Sequence, residues 1–312
     1  MKYQIRPVDL AQDVAAVSAL FGYVEPEPPN AEELARSWSK VPEGGIRHRL
    51  AAVDAAGTIF GYAVAGHDPW DKEGRWFGRL VVAPDYRRHG VASGLFAGTV
   101  GRLGEGARVF QGEVRENDED GQVWALHRGF RIDRHIFESV LELPAFDEAP
   151  LAGVVPAAEA GGIRFFSRAD DPSEATARKI HELLGRTILD IPGVNLARTS
   201  TFEEWRVWAL DEQEIPRDCF ILAADGDRIV GATILETRSN GALYTGHTSV
   251  DREYRGRKLA LALKLLSIRV AKRREAPYMR TNNDSLNAPM LAVNRKLGYR
   301  PEPGVYVMEK FL

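Results

Sequence analysis

One passage of this chain is spelled twice. Val82-Ala-Pro-Asp-Tyr86-Arg87-Arg88-His89-Gly90-Val91-Ala92 lies over Val250-Asp-Arg-Glu-Tyr254-Arg255-Gly256-Arg257-Lys258-Leu259-Ala260, 168 positions further on. Three more landmarks follow at nearly that spacing: Gly57 to Gly61 over Asp227 to Gly231, Gly129-Phe130 over Gly298-Tyr299, and a closing strand Ile136 to Leu143 over Val305 to Leu312. A repeat of this length means one folding unit used twice, each copy long enough to bury its own core. The boundaries read as 1–143 for the first domain, 144–162 for a linker and 163–312 for the second. The linker assignment rests on a Pro/Ala/Gly-rich stretch without hydrophobic period.

Both copies spell the same order of elements. A short strand (from Gln4; from Ile163) precedes a helix (Asp9 to Leu20; Asp171 to Leu189), the second capped by Asp171 with Pro172 at its first position. A second helix follows (Ala31 to Lys40; Thr201 to Asp211), then a hairpin turning near Gly57 and Gly226. A strand (Arg75 to Val82; Leu243 to Val250) runs through an Arg/Gly loop into a long helix (Val91 to Leu103; Leu259 to Arg274). Strand, helix and strand complete the unit. Strands and helices alternate only after a hairpin start, so the fold class is α/β with a mixed sheet in each of two tandem domains.

Composition narrows the function classes. The net charge is −3, which offers no global basic field to nucleic acid or an anionic membrane. The basic run Lys272-Arg273-Arg274 ends a helix, where cations suit the dipole. No apolar stretch reaches the length of a membrane span. The single cysteine, Cys219, excludes an internal disulfide and suggests a reducing, cytoplasmic setting; beside Phe220 it reads as a small core residue. The seven histidines are scattered without ligand spacing, so no metal is expected.

The loop between strand and long helix carries the chemistry. Arg87-Arg88-His89-Gly90-Val91-Ala92 has the pattern Arg-x-x-Gly-x-Ala. A helix N-terminus exposes unpaired N–H groups whose dipoles favour an anion. Gly90 lets the backbone approach a diphosphate, and Arg87 and Arg88 add charge suited to phosphate. Neither nucleotide glycine pattern occurs here. The second copy repeats the loop as Arg255, Gly256, Arg257, Lys258, Leu259 and Ala260, with Lys258 where the first has Gly90.

With Leu80 to Ala92 and Trp124 to Phe130 in the first half, and Thr248 to Ala260 and Thr281 to Tyr299 in the second, the chain resembles the GNAT acetyltransferase superfamily. Its doubled form is similar to the tandem members, of which mycothiol synthase is one kind. The resemblance covers nearly all of both halves. It implies acetyl-CoA as donor and an amine as acceptor. It also implies a sheet splayed at its centre, with pantetheine between two parallel strands and the diphosphate in the loop. It assigns to the cofactor the loop residues of both copies, Val82 and Val250 at the strand ends, and Asn283 and Asn294. The Asn283 to Tyr299 run is the fuller match; in the first copy its counterpart has become Asn117-Asp-Glu-Asp-Gly121.

Direct transfer needs a base for the attacking ammonium and a proton for the departing thiolate. Free N–H groups at Val82 and Val250 could serve the thioester oxygen. The family often places a tyrosine four residues before the Gly of the Gly-aromatic pair; here those positions hold Ala125 and Asn294. Asn294 can hydrogen-bond but cannot act as an acid. His247, on the strand before the second motif, and Glu113, on the strand after the first, are the candidate bases; the plainer reading is a partly buried strand residue satisfied by a neighbour for His247 and a solvated strand-end carboxylate for Glu113. Asp190 and Trp205, in the early helices of the second half, are candidates for holding the acceptor, and the acidic Glu25 and Glu27 would suit a cation. The expected function is N-acetyl transfer to a small-molecule or peptide amine. A non-catalytic acyl-CoA-binding or regulatory protein is the alternative.

Overall fold

The computed structural model describes residues 1–312. The first repeat runs β1 (Gln4–Pro7), α1 (Val14–Phe21), α2 (Ala31–Ser39), β2 (Ile46–Val53), β3 (Ile59–His67), β4 (Arg75–Val82), α3 (Val91–Val100), β5 (Val109–Arg115), α4 (Glu119–Leu126) and β6 (Arg131–Glu142). Helix α5 (Val154–Ala160) follows. The second repeat runs β7 (Ile163–Ser167), α6 (Glu174–Thr187), α7 (Phe202–Ala209), β8 (Phe220–Asp225), β9 (Arg228–Thr237), β10 (Leu243–Val250), α8 (Leu259–Arg273), β11 (Tyr278–Asp284), α9 (Ala288–Lys296) and β12 (Arg300–Phe311).

Two compact units result: Met1–Arg134 with Leu196–Arg198 and Val305–Leu312, and His135–Asn195 with Thr199–Gly304. The sheet of the first has the order β1-β2-β3-β4-β5-β12, that of the second β6-β11-β10-β9-β8-β7. The closing strands are therefore exchanged. Val305 to Phe311 of β12 pairs antiparallel with β5, and Ile136 to Glu142 of β6 pairs antiparallel with β11.

Local sequence explains the elements. Helices α2 and α7 begin with the same capping box, Asn30 with Glu33 and Thr201 with Glu204, each side chain taking the other's backbone N–H. Helix α6 starts two residues later than the sequence suggests. Ser173, not Asp171, caps it by accepting from the Thr176 N–H, and Asp171 accepts instead from the Thr176 hydroxyl. The 144–162 stretch is also more ordered than its composition implies. It holds α5, whose Val155 is buried with Leu151 in the core around α8, and Glu148 binds Arg269 at 2.6 Å.

Each sheet has a single parallel pair, and each parallel pair is short. Strands β4 and β5 pair from Arg75–Val109 to Gly78–Gly112 and then part. Strands β10 and β11 pair from Leu243–Met279 to Thr245–Thr281 and then part, beside a bulge at Gly246. Gly78 is required at its fork: a Cβ there would lie 2.1 Å from the Phe110 ring and 2.7 Å from the Val64 carbonyl oxygen. Beyond each fork the strand end is paired on one edge only. Such an edge must find a hydrogen-bonding partner from outside the sheet.

Alternation along β3 and β4 divides the first unit into two faces. Gly61 backs onto Val91 and Leu95 of α3, whereas Tyr62 meets Phe21 of α1 and Trp38 of α2. On the α3 side, Phe96 packs edge-on to Phe110 and Trp124. The second unit has Lys264 at the matching helix position, buried 5.0 Å from the centre of the Tyr299 ring. Burial without a carboxylate partner lowers the Lys264 ammonium to about 7.

Candidate functional site

The two repeated loops have the same backbone. In the first, Arg88 (φ 66°) and Gly90 (φ 80°) are left-handed; in the second, Gly256 (φ 79°) and Lys258 (φ 60°). Each copy places its one glycine at a different member of the pair and a cation at the other. A non-glycine residue there costs about 1 kcal/mol, so the conformation is held by the loop's role rather than by its residues. It delivers the chain into α3 and α8 with no side chain capping either N-terminus and no acid in either first turn. The first-turn N–H groups are thus left for an outside acceptor. A Cβ at Gly90 would meet nothing within 4 Å, so the loop's outer side is open.

The motif arginines do something the sequence does not show. Arg87 Nε donates to the Val82 carbonyl and Arg255 Nε to the Val250 carbonyl, both at 3.1 Å. Each guanidinium ties its loop to the strand end beside the fork. Val82, Val91, Val250 and Leu259 are buried and fix the loop ends, whereas Arg88, His89, Arg257 and Lys258 are exposed. Ala92 and Ala260 lie half-buried in the first helical turns.

Beyond the shared backbone the copies diverge. In the second unit Asp190 occupies two of the loop's cations. Arg252 Nε lies 3.0 Å from both of its carboxylate oxygens, and Arg255 pairs with it as well. These guanidiniums hold the Asp190 carboxyl down at about 2. In the first unit Arg88 reaches only Asp120, at 4.0 Å, with its side chain 88% exposed. The forks differ too. Gly78 and Gly112 leave the first groove without side chains, whereas in the second the Thr281 hydroxyl donates to the Thr245 carbonyl at 3.1 Å.

The remaining candidates divide between the strands at the forks and the buried cores. Glu113 is the first β5 residue past the fork, exposed, on the same sheet face as Arg79. Asn283 and Asn294 bond to each other at 2.5 Å, with Asn294 buried. His247 is next past the β10 bulge; its Nε2 is closed off from solvent without a partner, and burial lowers the ring to about 4, so it is neutral at pH 7. Trp205 is 2% exposed and packs with Phe202, Phe220, Leu222 and Ile234. Glu25 is no free carboxylate: Arg79 lies 2.8 Å and Arg115 3.9 Å from it. Cys219 is fully buried, which pushes its thiol up to about 12 and leaves it inert at neutral pH. No group of three or more His, Cys, Asp or Glu side chains could hold a metal ion, and no helix is long and apolar enough to cross a membrane.

A mixed sheet forked after a short parallel pair, with an uncapped Arg/Gly loop entering a helix at the fork, defines the acyl-CoA acetyltransferase class. Residues 16–121 and 187–299 each match the acetyltransferase (GNAT) family, and the chain belongs to it as a tandem protein. Among solved structures it is similar to a tandem GNAT protein from the clavulanic acid biosynthesis pathway (TM-score 0.79, 21% identity, 99% of this chain and 98% of that one). It is also similar to a GCN5-related N-acetyltransferase from Sphaerobacter thermophilus (TM-score 0.69, 20% identity, 99% and 95%). A putative acetyltransferase from Pyrococcus horikoshii shares the fold at 11% identity (TM-score 0.60, 99% and 89%). No curated protein matches the sequence.

Proposed function

We propose that the protein is an acetyl-CoA-dependent N-acetyltransferase whose first repeat holds the cofactor and does the chemistry. The observation that carries this reading is the difference between the two loops. Both helix N-termini are uncapped, but Asp190 already neutralises Arg252 and Arg255 in the second, whereas in the first Arg88 reaches only Asp120 at 4.0 Å.

In this reading the diphosphate lies against the α3 N-terminus, on the N–H groups from Gly90 to Ala92, with Arg88 and His89 beside it. The pantetheine follows the β4 edge from Arg79 to Val82, which β5 leaves unpaired. Acetyl-CoA supplies a thioester carbonyl. Glu113 takes the proton from the acceptor's ammonium, so that a neutral amine forms the new nitrogen–carbon bond as the carbon–sulfur bond breaks. With Ala125 buried where the family often carries tyrosine, the second proton that the nitrogen sheds as the amide forms passes through water to the thiolate. Backbone N–H groups at the β4 end polarise the carbonyl. The second repeat is a scaffold: its acceptor-side face is filled by Trp205 and Phe220, and Asn283 is engaged with Asn294.

The direct test follows free thiol release from acetyl-CoA in the presence of primary amines. Amine-dependent release with stoichiometric amide formation is expected. Saturable acetyl-CoA binding without release under any acceptor would replace this reading with a binding or regulatory protein.

A further inference from the structure

Cross-strand register sets up one row on the α1/α2 face of the first sheet. Arg49 pairs with Val64, and Val64 with Arg79. Glu113 continues that row across the fork, one residue beyond the Gly78–Gly112 pair. Strands are about 4.8 Å apart, so the two arginine backbones stand about 10 Å apart with only Val64 between them.

The two arginines differ in what balances them. Arg79 binds Glu25 at 2.8 Å and lies over the Phe21 ring. Arg49 is half-buried, with its guanidinium carbon 5.2 Å from the centre of the Trp38 ring and its Nε shut off from solvent without a partner. The charged and titratable groups acting on it are the Tyr62 phenol, to whose oxygen the guanidinium hydrogen-bonds, and the Arg47 guanidinium, and none is a carboxylate. Arg47 itself is matched by Asp68 at 2.7 Å, and Tyr62 stays protonated because burial raises it to about 12. Burying a cation without a counter-ion is costly, and burial accordingly lowers Arg49 from its ordinary value.

The second sheet provides an internal control. Its matching row is Phe220, Ile234 and His247, by the same pairings. There Phe220 is fully buried and His247 neutral, and the buried cation of that region, Arg168, lies 5.9 Å from the centre of the Phe220 ring with the Glu212 carboxylate 3.9 Å away. The second unit thus gives its buried guanidinium a carboxylate, which Arg49 lacks.

Resting on the transferase reading above, we propose that the acceptor is a primary amine that also carries a carboxylate, with the carboxylate docked on Arg49 and the amine presented to Glu113. The single uncompensated guanidinium calls for one unit of negative charge, which a carboxylate supplies and a phosphate dianion exceeds. Its fork of N–H donors accepts a carboxylate with two parallel bonds. Beneath this row Trp38, Tyr62 and Phe21 pack against one another as an apolar floor.

The test compares thiol release from acetyl-CoA with free L-amino acids, β-alanine and 4-aminobutyrate, each against its own carboxamide, with acetyl-CoA binding measured in parallel by calorimetry. At least one free acid should be acetylated with kcat/KM about tenfold or more above its carboxamide, the worth of one charge-assisted pair. Arg49→Met should bring that ratio below about threefold, and Arg49→Lys should retain part of it, showing that charge and not packing is read. Carboxamides or plain benzylamine acetylated as well as the acids, or an unchanged ratio in Arg49→Met, would overturn the acceptor assignment while leaving the transferase intact. Absence of acetyl-CoA binding would instead remove the transferase reading and the acceptor assignment with it.

Discussion

Replacing Glu113 by glutamine lowers kcat about 10²- to 10⁴-fold, the usual worth of a positioned general base, and leaves acetyl-CoA affinity within about twofold. The expectation follows from position. Glu113 is exposed at the fork, where an amine must approach, and Gly112 beside it keeps the groove clear. The amide of glutamine keeps the size and one acceptor oxygen but cannot take a proton at neutral pH. The loss should shrink as pH rises towards the amine's own pKa, because the acceptor then arrives already neutral. Rates measured from pH 6 to 10 with one amine check both points. A loss below about fivefold, or one that does not shrink with pH, would show that Glu113 is a solvated strand residue.

The second large effect is on stability. Trp205→Ala destabilises the protein by about 3–5 kcal/mol, the range for emptying a large aromatic site in a core. Trp205 is 2% exposed, tilted against Phe202 at 5.8 Å and edge-on to Trp208 at 6.4 Å. Urea unfolding followed by circular dichroism gives the number, and the second unit should melt first. In the folded variant the KM for acetyl-CoA should stay within about twofold of wild type. A small stability change with a raised acceptor KM would return Trp205 to the acceptor site.

Much of this architecture was legible because it is local. The repeat, the two helix-entry loops and the capping boxes are each written within a dozen residues, and local patterns of that kind survive in the fold. The forks were expected only through the family resemblance; the glycine that permits the first, Gly78, carries no periodic signal. What escaped is non-local. Asp190 faces Arg252 and Arg255 from more than sixty residues away, so a lone aspartate before Pro192 reads as a ligand for an ammonium rather than as a partner for two guanidiniums. Glu25 misleads in the same way, since its partners Arg79 and Arg115 lie on strands that only the sheet brings near. The acidic composition of that loop suggested a cationic acceptor, whereas register, invisible before the strands are paired, puts an unmatched Arg49 on the same face. The exchange of β6 and β12 was equally hidden, because both closing strands have similar alternation and either satisfies β5 or β11.

Calorimetric titration of acetyl-CoA into wild type, Gly90→Val and Gly256→Val tests the central claim most directly. A Cβ at either glycine meets nothing within 4 Å, but both positions are left-handed, so a β-branched residue disturbs the loop and not the core. The account predicts one site per chain in wild type, lost or weakened about tenfold or more in Gly90→Val and unchanged in Gly256→Val. Two sites in wild type, or a single site lost only in Gly256→Val, would contradict it and place the working cofactor site in the second repeat.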